Sequence, residues 1–258
     1  MAQPDGLNEW QATREYWTLR ADPVFRCEGV PSGQGQPVMV LPGLFANDLY
    51  LYTLRDWLSR LGYQPVASSI LWNAGCSNRL LAEAERPLSR QLAVQSGPIA
   101  LIGHSRGGLF AKALASKYSD RVSHLILLGS PLGGMLHAGP ANMQQYVEAM
   151  ENSSSSGRRF VFNAGRNVMR MLDPDCDTPL CDCDYMGHLF APIPEHVKLT
   201  SIYSPTDPIV PAEVARMPEA PNVKNIEVAG THAGLAFNAN VYPFIAQALA
   251  QSEVQAQT

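Results

Sequence analysis

The sequence predicts an α/β fold, a mostly parallel sheet with helices on both faces and one long insertion acting as a cap or lid. Short β-rich runs alternate with helical ones, the pattern of repeated strand–helix units. Several runs are apolar throughout, Ile99-Ala100-Leu101-Ile102 and Leu125-Ile126-Leu127-Leu128 among them, as strands covered on both faces require. One segment, Gly133–Pro194, breaks the alternation.

Strands are expected at Pro37–Leu41, Gln64–Ser68, Ile99–Ile102, His124–Leu128, Lys198–Tyr203 and Asn225–Val228. Tyr50–Leu61 reads as a helix, because Leu51, Leu54, Leu58 and Leu61 fall on one face and Gly62 is placed to stop it. Arg79–Gln95 is helical in pattern, with Pro87 expected to kink or break it. Arg106–Tyr118 and Val241–Ala250 complete the set.

Gly133–Pro194 is far longer than an ordinary connection of about 4–6 residues. It holds an amphipathic piece (Met143, Tyr146, Val147, Met150), a Ser153–Gly157 linker, a helical piece (Val161–Leu172) and a cysteine-rich loop. The expectation is a single domain over residues 1–258, with a cap at about 133–194 over the sheet edge. Phe45, Met143 and Val147 are expected in an apolar substrate pocket, although such residues also suit an insertion that only packs.

Composition narrows the function. Of 258 residues, 46% are apolar and 16% charged, which fits a globular chain with a sizeable core. A net charge of −4 gives no broad basic surface, so nucleic acid is not expected as a partner. No stretch approaches the roughly 20 apolar residues of a membrane span. Glu9, Arg14, Glu15 and Arg20 interrupt Met1–Arg20, so no signal peptide is read there. A cytoplasmic protein is expected, with export by another route left open and the oligomeric state unspecified.

Cys27 and Cys76 stand alone in sequence, whereas Cys176, Cys181 and Cys183 crowd into an acidic loop, Asp173–Asp184. That spacing lacks the paired blocks of a zinc site, and the aspartates lack the Gly and Glu of an EF-hand. A structural loop, or a local disulfide from Cys176 to Cys181 or Cys183, is preferred over a metal site. Gly33-Gln34-Gly35 lacks a third glycine and a following helix, so no nucleotide loop is read.

The chemistry centres on Gly103-His104-Ser105-Arg106-Gly107. A Gly-x-Ser-x-Gly turn after a buried strand and before a helix projects its serine from a sharp corner. A hydroxyl needs a base, a group that orients the base, and donors for the oxyanion. His232, on the glycine-flanked loop Gly230–Gly234 after the last strand, is the candidate base. Asp207, on the proline-bounded turn after Lys198–Tyr203, is the candidate orienting carboxylate, with Glu213 its nearest rival. Backbone N–H groups of Arg106, at a helix start, and of Leu44, on the turn after the first strand, are the candidate oxyanion donors.

The order Ser105, Asp207, His232, together with Leu41-Pro42-Gly43-Leu44, Gly129-Ser130-Pro131-Leu132-Gly133 and Gly230-Thr231-His232, resembles the α/β-hydrolase superfamily. From about Pro37 onward the chain is similar to bacterial lipases and esterases and to PGAP1-like hydrolases. The resemblance implies cleavage of a small-molecule or lipid-like ester through an acyl-enzyme, with no cofactor. Many lipases have His-Gly at the oxyanion turn and Ser-Pro-His after the next strand, where this chain has Pro42-Gly43 and Ser130-Pro131-Leu132. An acyltransferase, thioesterase or amidase would use the same residues, and a non-catalytic binding module is a further reading of the scaffold.

Overall fold

The structure, a computed structural model, describes residues 11–256. Residues 1–10, half of the stretch read above for a signal peptide, lie outside the described residues.

The strands are β1 (Pro37–Leu41), β2 (Gln64–Ala67), β3 (Ile99–His104), β4 (Val122–Leu128), β5 (Lys198–Tyr203) and β6 (Val223–Glu227). They form one sheet in the order β2-β1-β3-β4-β5-β6, with every neighbouring pair parallel. The helices, in chain order, are α1 (Gln11–Ala21), α2 (Tyr52–Arg60), α3 (Ser77–Val94), α4 (Arg106–Lys117), α5 (Leu132–Ala138), α6 (Met143–Glu151), α7 (Ser156–Leu172), α8 (Asp184–Phe190), α9 (Ala212–Ala215) and α10 (Tyr242–Ala256).

Strand alternation divides the core in two. Met39, Leu41, Leu101, Leu125, Leu127 and Leu199 face one side and pack with Leu80, Leu88, Phe110, Leu114, Tyr185 and Leu189 of α3, α4 and α8. The residues between them, Val38, Val40, Ala100, Ile102, Ile126, Leu128 and Ile202, face the other side, against Leu19, Leu54, Trp57, Leu58, Tyr242 and Ile245 of α1, α2 and α10. Each such side chain contributes about 1.5–3 kcal/mol over leaving it exposed. This two-sided burial is why the central strands are apolar at consecutive positions.

Three boundaries differ in ways that matter. β3 runs on to His104, so the strand ends directly against Ser105. α3 continues through Pro87 rather than breaking. Proline forfeits one backbone bond, but Leu80, Leu81, Ala84, Leu88 and Leu92 bury a continuous stripe on both sides of it. The expected Ser153–Gly157 linker is shorter, because α7 starts at Ser156, with the Ser155 hydroxyl accepting from the Arg158 N–H at 3.4 Å.

The insertion between β4 and β5 has two parts. α5 and α8 belong to the core through Leu132, Met135, Tyr185, Met186 and Leu189. Tyr185 packs on Phe110 of α4 with ring centres 5.4 Å apart. α6 and α7 instead supply walls to the cavity onto which Ser105 opens. Among the described residues no helix is long and apolar enough to cross a membrane.

Candidate active site

Ser105 occupies the corner between β3 and α4 with φ 53° and ψ −124°. A non-glycine residue in that region carries strain of order 1–3 kcal/mol, which the surroundings must hold in place. They do so through backbone. The Ser105 N–H donates to Leu128 O at 2.8 Å, and Ser105 O accepts from the Gly108 N–H at 3.0 Å. Two glycines make the corner possible. A Cβ on Gly103 would lie 2.4 Å from the Gly108 backbone, and one on Gly107 would lie 2.2 Å from Leu41 O.

His232 and Asp207 follow β6 and β5, the two strands at one edge of the sheet. Both are nearly buried, and His232 Nδ1 lies 2.7 Å from Asp207 Oδ2. The other carboxylate oxygen, Oδ1, accepts from the backbone N–H groups of Ile209 and Val210, each at 2.8 Å. Ser105 and His232 open onto one cavity. Glu213, the rival carboxylate, lies on α9 and does not line that cavity.

The His232 loop is anchored by residues that no local motif marks. His104 donates its Nε2–H to the His232 carbonyl at 2.9 Å, and the Tyr50 hydroxyl donates to Ala233 O at 2.9 Å. Burial, with the neighbouring His232 ring adding to it, pushes the His104 imidazole down to about 3, so that ring is neutral. From α1, Glu15 accepts the Thr231 N–H at 3.0 Å and the Thr231 hydroxyl at 2.6 Å. More than 200 residues of chain separate the partners, |i−j| being 216, so only the fold reveals this pair.

The turn after β1 passes close to Ser105. A Cβ on Gly43 would come within 3.1 Å of Ser105 Cβ. Leu44, Phe45 and Arg106 all line the cavity. The Arg106 side chain turns inward, donating to Asn73 O (3.3 Å), Asn73 Oδ1 (2.9 Å), Gly75 O (2.9 Å) and Ser77 Oγ (2.9 Å). Burial pushes the guanidinium pKa down from its ordinary value. Fully buried Asn73 also donates to Pro42 O at 2.7 Å. One amide thus ties the turn carrying Leu44 to the start of α4. Asn73 has no sequence signal of its own.

The cavity measures about 420 Å³ and is walled largely by apolar groups, among them Leu109, Met135, Met150, Val161, Phe162 and Met169. Phe45 lies in this wall, stacked with Trp72 at 6.2 Å. Met143 and Val147 do not line it; both are buried, Met143 within the main core. They share one face of α6, while Tyr146 and Met150, on the adjoining face, line the cavity instead. The spacing of Met143, Tyr146, Val147 and Met150 marked an amphipathic helix without saying which part of its apolar arc meets the cavity.

The cysteines are placed differently from the sequence reading. Cys76, alone in sequence, is tied to the start of the cysteine-rich loop through its backbone, its N–H donating to Asp173 Oδ2 at 2.7 Å. Cys181 and Cys183 have their sulfurs 3.1 Å apart. Among the described residues no group of three or more His, Cys, Asp or Glu side chains is arranged to hold a metal ion.

A parallel sheet flanked by helices, with a strained serine at a strand–helix corner, defines the α/β-hydrolase class. Residues 85–183 match the family model described as the alpha/beta hydrolase fold, and the six-stranded parallel sheet is consistent with that fold. Among solved structures it is similar to alpha/beta hydrolase domain-containing protein 10 from mouse, at 18% identity over 87% of this chain and 92% of that one, with a TM-score of 0.53. It is also similar to a monoacylglycerol lipase of Paleococcus ferrophilus, at 15% identity over 84% of this chain and 96% of that one, with a TM-score of 0.52. At these identities the likeness carries the fold alone. No curated protein sequence matches the chain.

Proposed function

We propose that the protein is a serine hydrolase that cleaves carboxylic esters through an acyl-enzyme. The observation that carries this reading is the left-handed Ser105 on its glycine-relieved corner, sharing a cavity with a histidine held by a buried carboxylate. Ser105 Oγ attacks the ester carbonyl while His232 Nε2 takes its proton, and Asp207 holds the imidazole with its other proton on Nδ1. The N–H groups of Leu44 and Arg106 receive the oxyanion, in a largely apolar site where each donor counts for more. His232 then returns the proton to the leaving alcohol, and water repeats the sequence to release the acid. α6 and α7 act as the cap and, with Phe45, form the acyl pocket.

The apolar wall favours an aliphatic, lipid-like ester as substrate. Labelling by a fluorophosphonate probe, together with hydrolysis of nitrophenyl esters of rising chain length, tests the reading. Ser105→Ala is expected to lose both labelling and turnover while keeping its melting temperature, with a rate loss of about 10⁴–10⁶. Turnover retained by a folded Ser105→Ala protein would refute the assignment, and a sharp preference for acetate would refute the long-acyl pocket. Acyl transfer to an added alcohol, or faster cleavage of thioesters or amides than of esters, would move the protein to another acyl-transfer reaction on the same residues.

A further inference from the structure

The cavity onto which Ser105 opens is walled mostly by apolar groups, yet its lining includes Arg106, Arg158 and Arg166 and no aspartate or glutamate. A guanidinium keeps its charge inside a protein, so each of these must find acceptors or be costly to bury. Two of them find acceptors within the fold. Arg166 is ion-paired with Glu151 Oε1 at 3.0 Å and with Asp177 Oδ1 at 2.9 Å. Arg106 commits its side-chain donors to neutral acceptors of Asn73, Gly75 and Ser77. Arg158 has neither kind of partner. Among the described residues its side chain takes part in no ion pair, and its Nε is buried without a hydrogen bond.

Position sets what Arg158 can reach. Arg158, Val161, Phe162, Gly165, Arg166 and Met169 of α7 line the cavity, at the spacing that places residues on one face of a helix. In the middle of that face Gly165 meets the turn after β1, where an added Cβ would lie 2.8 Å from Leu44 Cδ2. Arg158 lies two helical turns before Gly165, roughly 10 Å along the axis. Side chains on a helix lean towards its N-terminus, so the guanidinium is carried away from Leu44 rather than towards it. Between Leu44 and Arg158 the wall is apolar, with Val161 and Phe162 on α7.

We propose that Arg158 is a specificity residue that holds a carboxylate at the far end of the acyl chain, which makes the preferred substrate a half-ester of an aliphatic dicarboxylic acid. The inference rests on the ester-cleaving reading of Ser105 and names the acid part of its substrate. The reacting carbonyl lies at Ser105 beside Leu44, the methylenes run along Val161 and Phe162, and the free carboxylate meets the guanidinium. A carboxylate suits this place better than a phosphate. Its two oxygens match one planar guanidinium fork, and its single charge is balanced by that one cation. A phosphate dianion would ask for more donors than the surrounding wall offers.

The test compares mono-nitrophenyl esters of straight-chain dicarboxylic acids with the same esters capped at the far end as methyl esters, using the full chain. At the matching chain length the free acid should exceed its capped counterpart in kcat/KM by about 10–100-fold, with most of the gain in KM. Arg158→Gln should bring that ratio close to unity, Arg158→Lys should keep part of it, and Arg158→Glu should invert it. The lysine variant serves if the glutamine variant fails to fold. A ratio near unity in the parent protein, or one that survives Arg158→Gln, would overturn the proposal. Preference for a phosphate-ended over a carboxylate-ended ester would overturn the choice of anion. Calorimetric binding of the dicarboxylic acids themselves needs no turnover and separates this inference from ester hydrolysis. Binding about 10–100-fold weaker in Arg158→Gln, with no such drop for monocarboxylic acids of equal length, supports the subsite even if no ester is cleaved. Equal binding by the two proteins overturns it even if esters are cleaved.

Discussion

Asp207 holds His232 with one carboxylate oxygen and its own turn with the other: Oδ2 lies 2.7 Å from His232 Nδ1, while Oδ1 accepts two backbone N–H groups at 2.8 Å. This division of labour makes an amide at the position informative. In Asp207→Asn the carbonyl oxygen must keep facing the N–H groups of Ile209 and Val210, because an amide NH₂ there would oppose two donors. The NH₂ then faces His232 Nδ1 and drives the imidazole proton to Nε2, the atom that must be free to accept from Ser105. The expected result is a fall in kcat of about 10²–10⁴ with a nearly unchanged melting temperature. Steady-state ester kinetics with parallel calorimetry check it.

Asn73 is expected to act at a distance of one bond from the chemistry. Its side chain fixes Pro42 O and receives Arg106, so Asn73→Ala frees the turn that carries Leu44 and leaves a buried carbonyl and guanidinium short of partners. A loss of about 1–3 kcal/mol in stability should accompany it. Because the disturbed groups flank the oxyanion donors, kcat should drop by about 10–100-fold while KM moves little. A variant whose KM alone rises would show that Asn73 serves ground-state binding.

Glu15 tests the reach of α1 into the site. In Glu15→Ala, the Thr231 N–H and hydroxyl lose their acceptors next to His232. The expected outcome is a loss of about 1–3 kcal/mol and a measurable fall in kcat. Glu15→Gln should recover most of the stability, since its amide oxygen still accepts from the backbone N–H. Urea unfolding of the two variants separates the cases.

Buried Lys112 gives stability a pH dependence of definite sign. Its ammonium donates to Ser116 Oγ (2.8 Å), His188 O (3.0 Å) and Ala191 O, tying α4 to α8, and burial pushes its pKa down to about 8. The folded protein therefore loses this proton before the unfolded chain does, whose lysine titrates near 10.4. Above about pH 8 the unfolded state binds more protons, so Lys112 makes stability rise with pH up to roughly 10.4, by at most about 3 kcal/mol. Buried Tyr146, pushed up to about 12, acts oppositely once free tyrosine ionises near 10, so the window to measure is about pH 8–9.5. Cys181, whose thiol burial helps hold up at about 11, pulls the slope down in the same window in both proteins, so the difference is the readout: in Lys112→Met the slope should be less positive than in the parent.

Much of this architecture was legible in sequence because its signals are local. Ile99–Ile102 and Leu125–Leu128 read as two-sided strands, and the glycines around Ser105 read as a tight corner. Ends were harder: β4 starts at Val122, and β6 runs from Val223 to Glu227, because pairing with a neighbour rather than composition sets where a ladder stops. Pro87 misled in the same way, since a buried stripe outweighed one lost bond. The contributions of Asn73 and Glu15 were not legible at all. Each depends on a partner far away in sequence, and a lone Asn or Glu carries no periodicity to betray it. Met143 and Val147 were correctly read as apolar helix positions but assigned to the wrong side of a narrow arc.

The strand order also sets which part of the protein fails first. β6, one of the two edge strands, is paired on one side only and buries only Ile226 fully, while β3 lies deep within the sheet. The loop bearing His232 hangs from that edge, and Ser105 stands near the centre. On the reading proposed above, fraying of a few edge residues would withdraw the base while the serine corner and most of the sheet stayed intact. Catalytic output would then decline in denaturant before circular dichroism registered any melting, making turnover a local gauge of the sheet's margin.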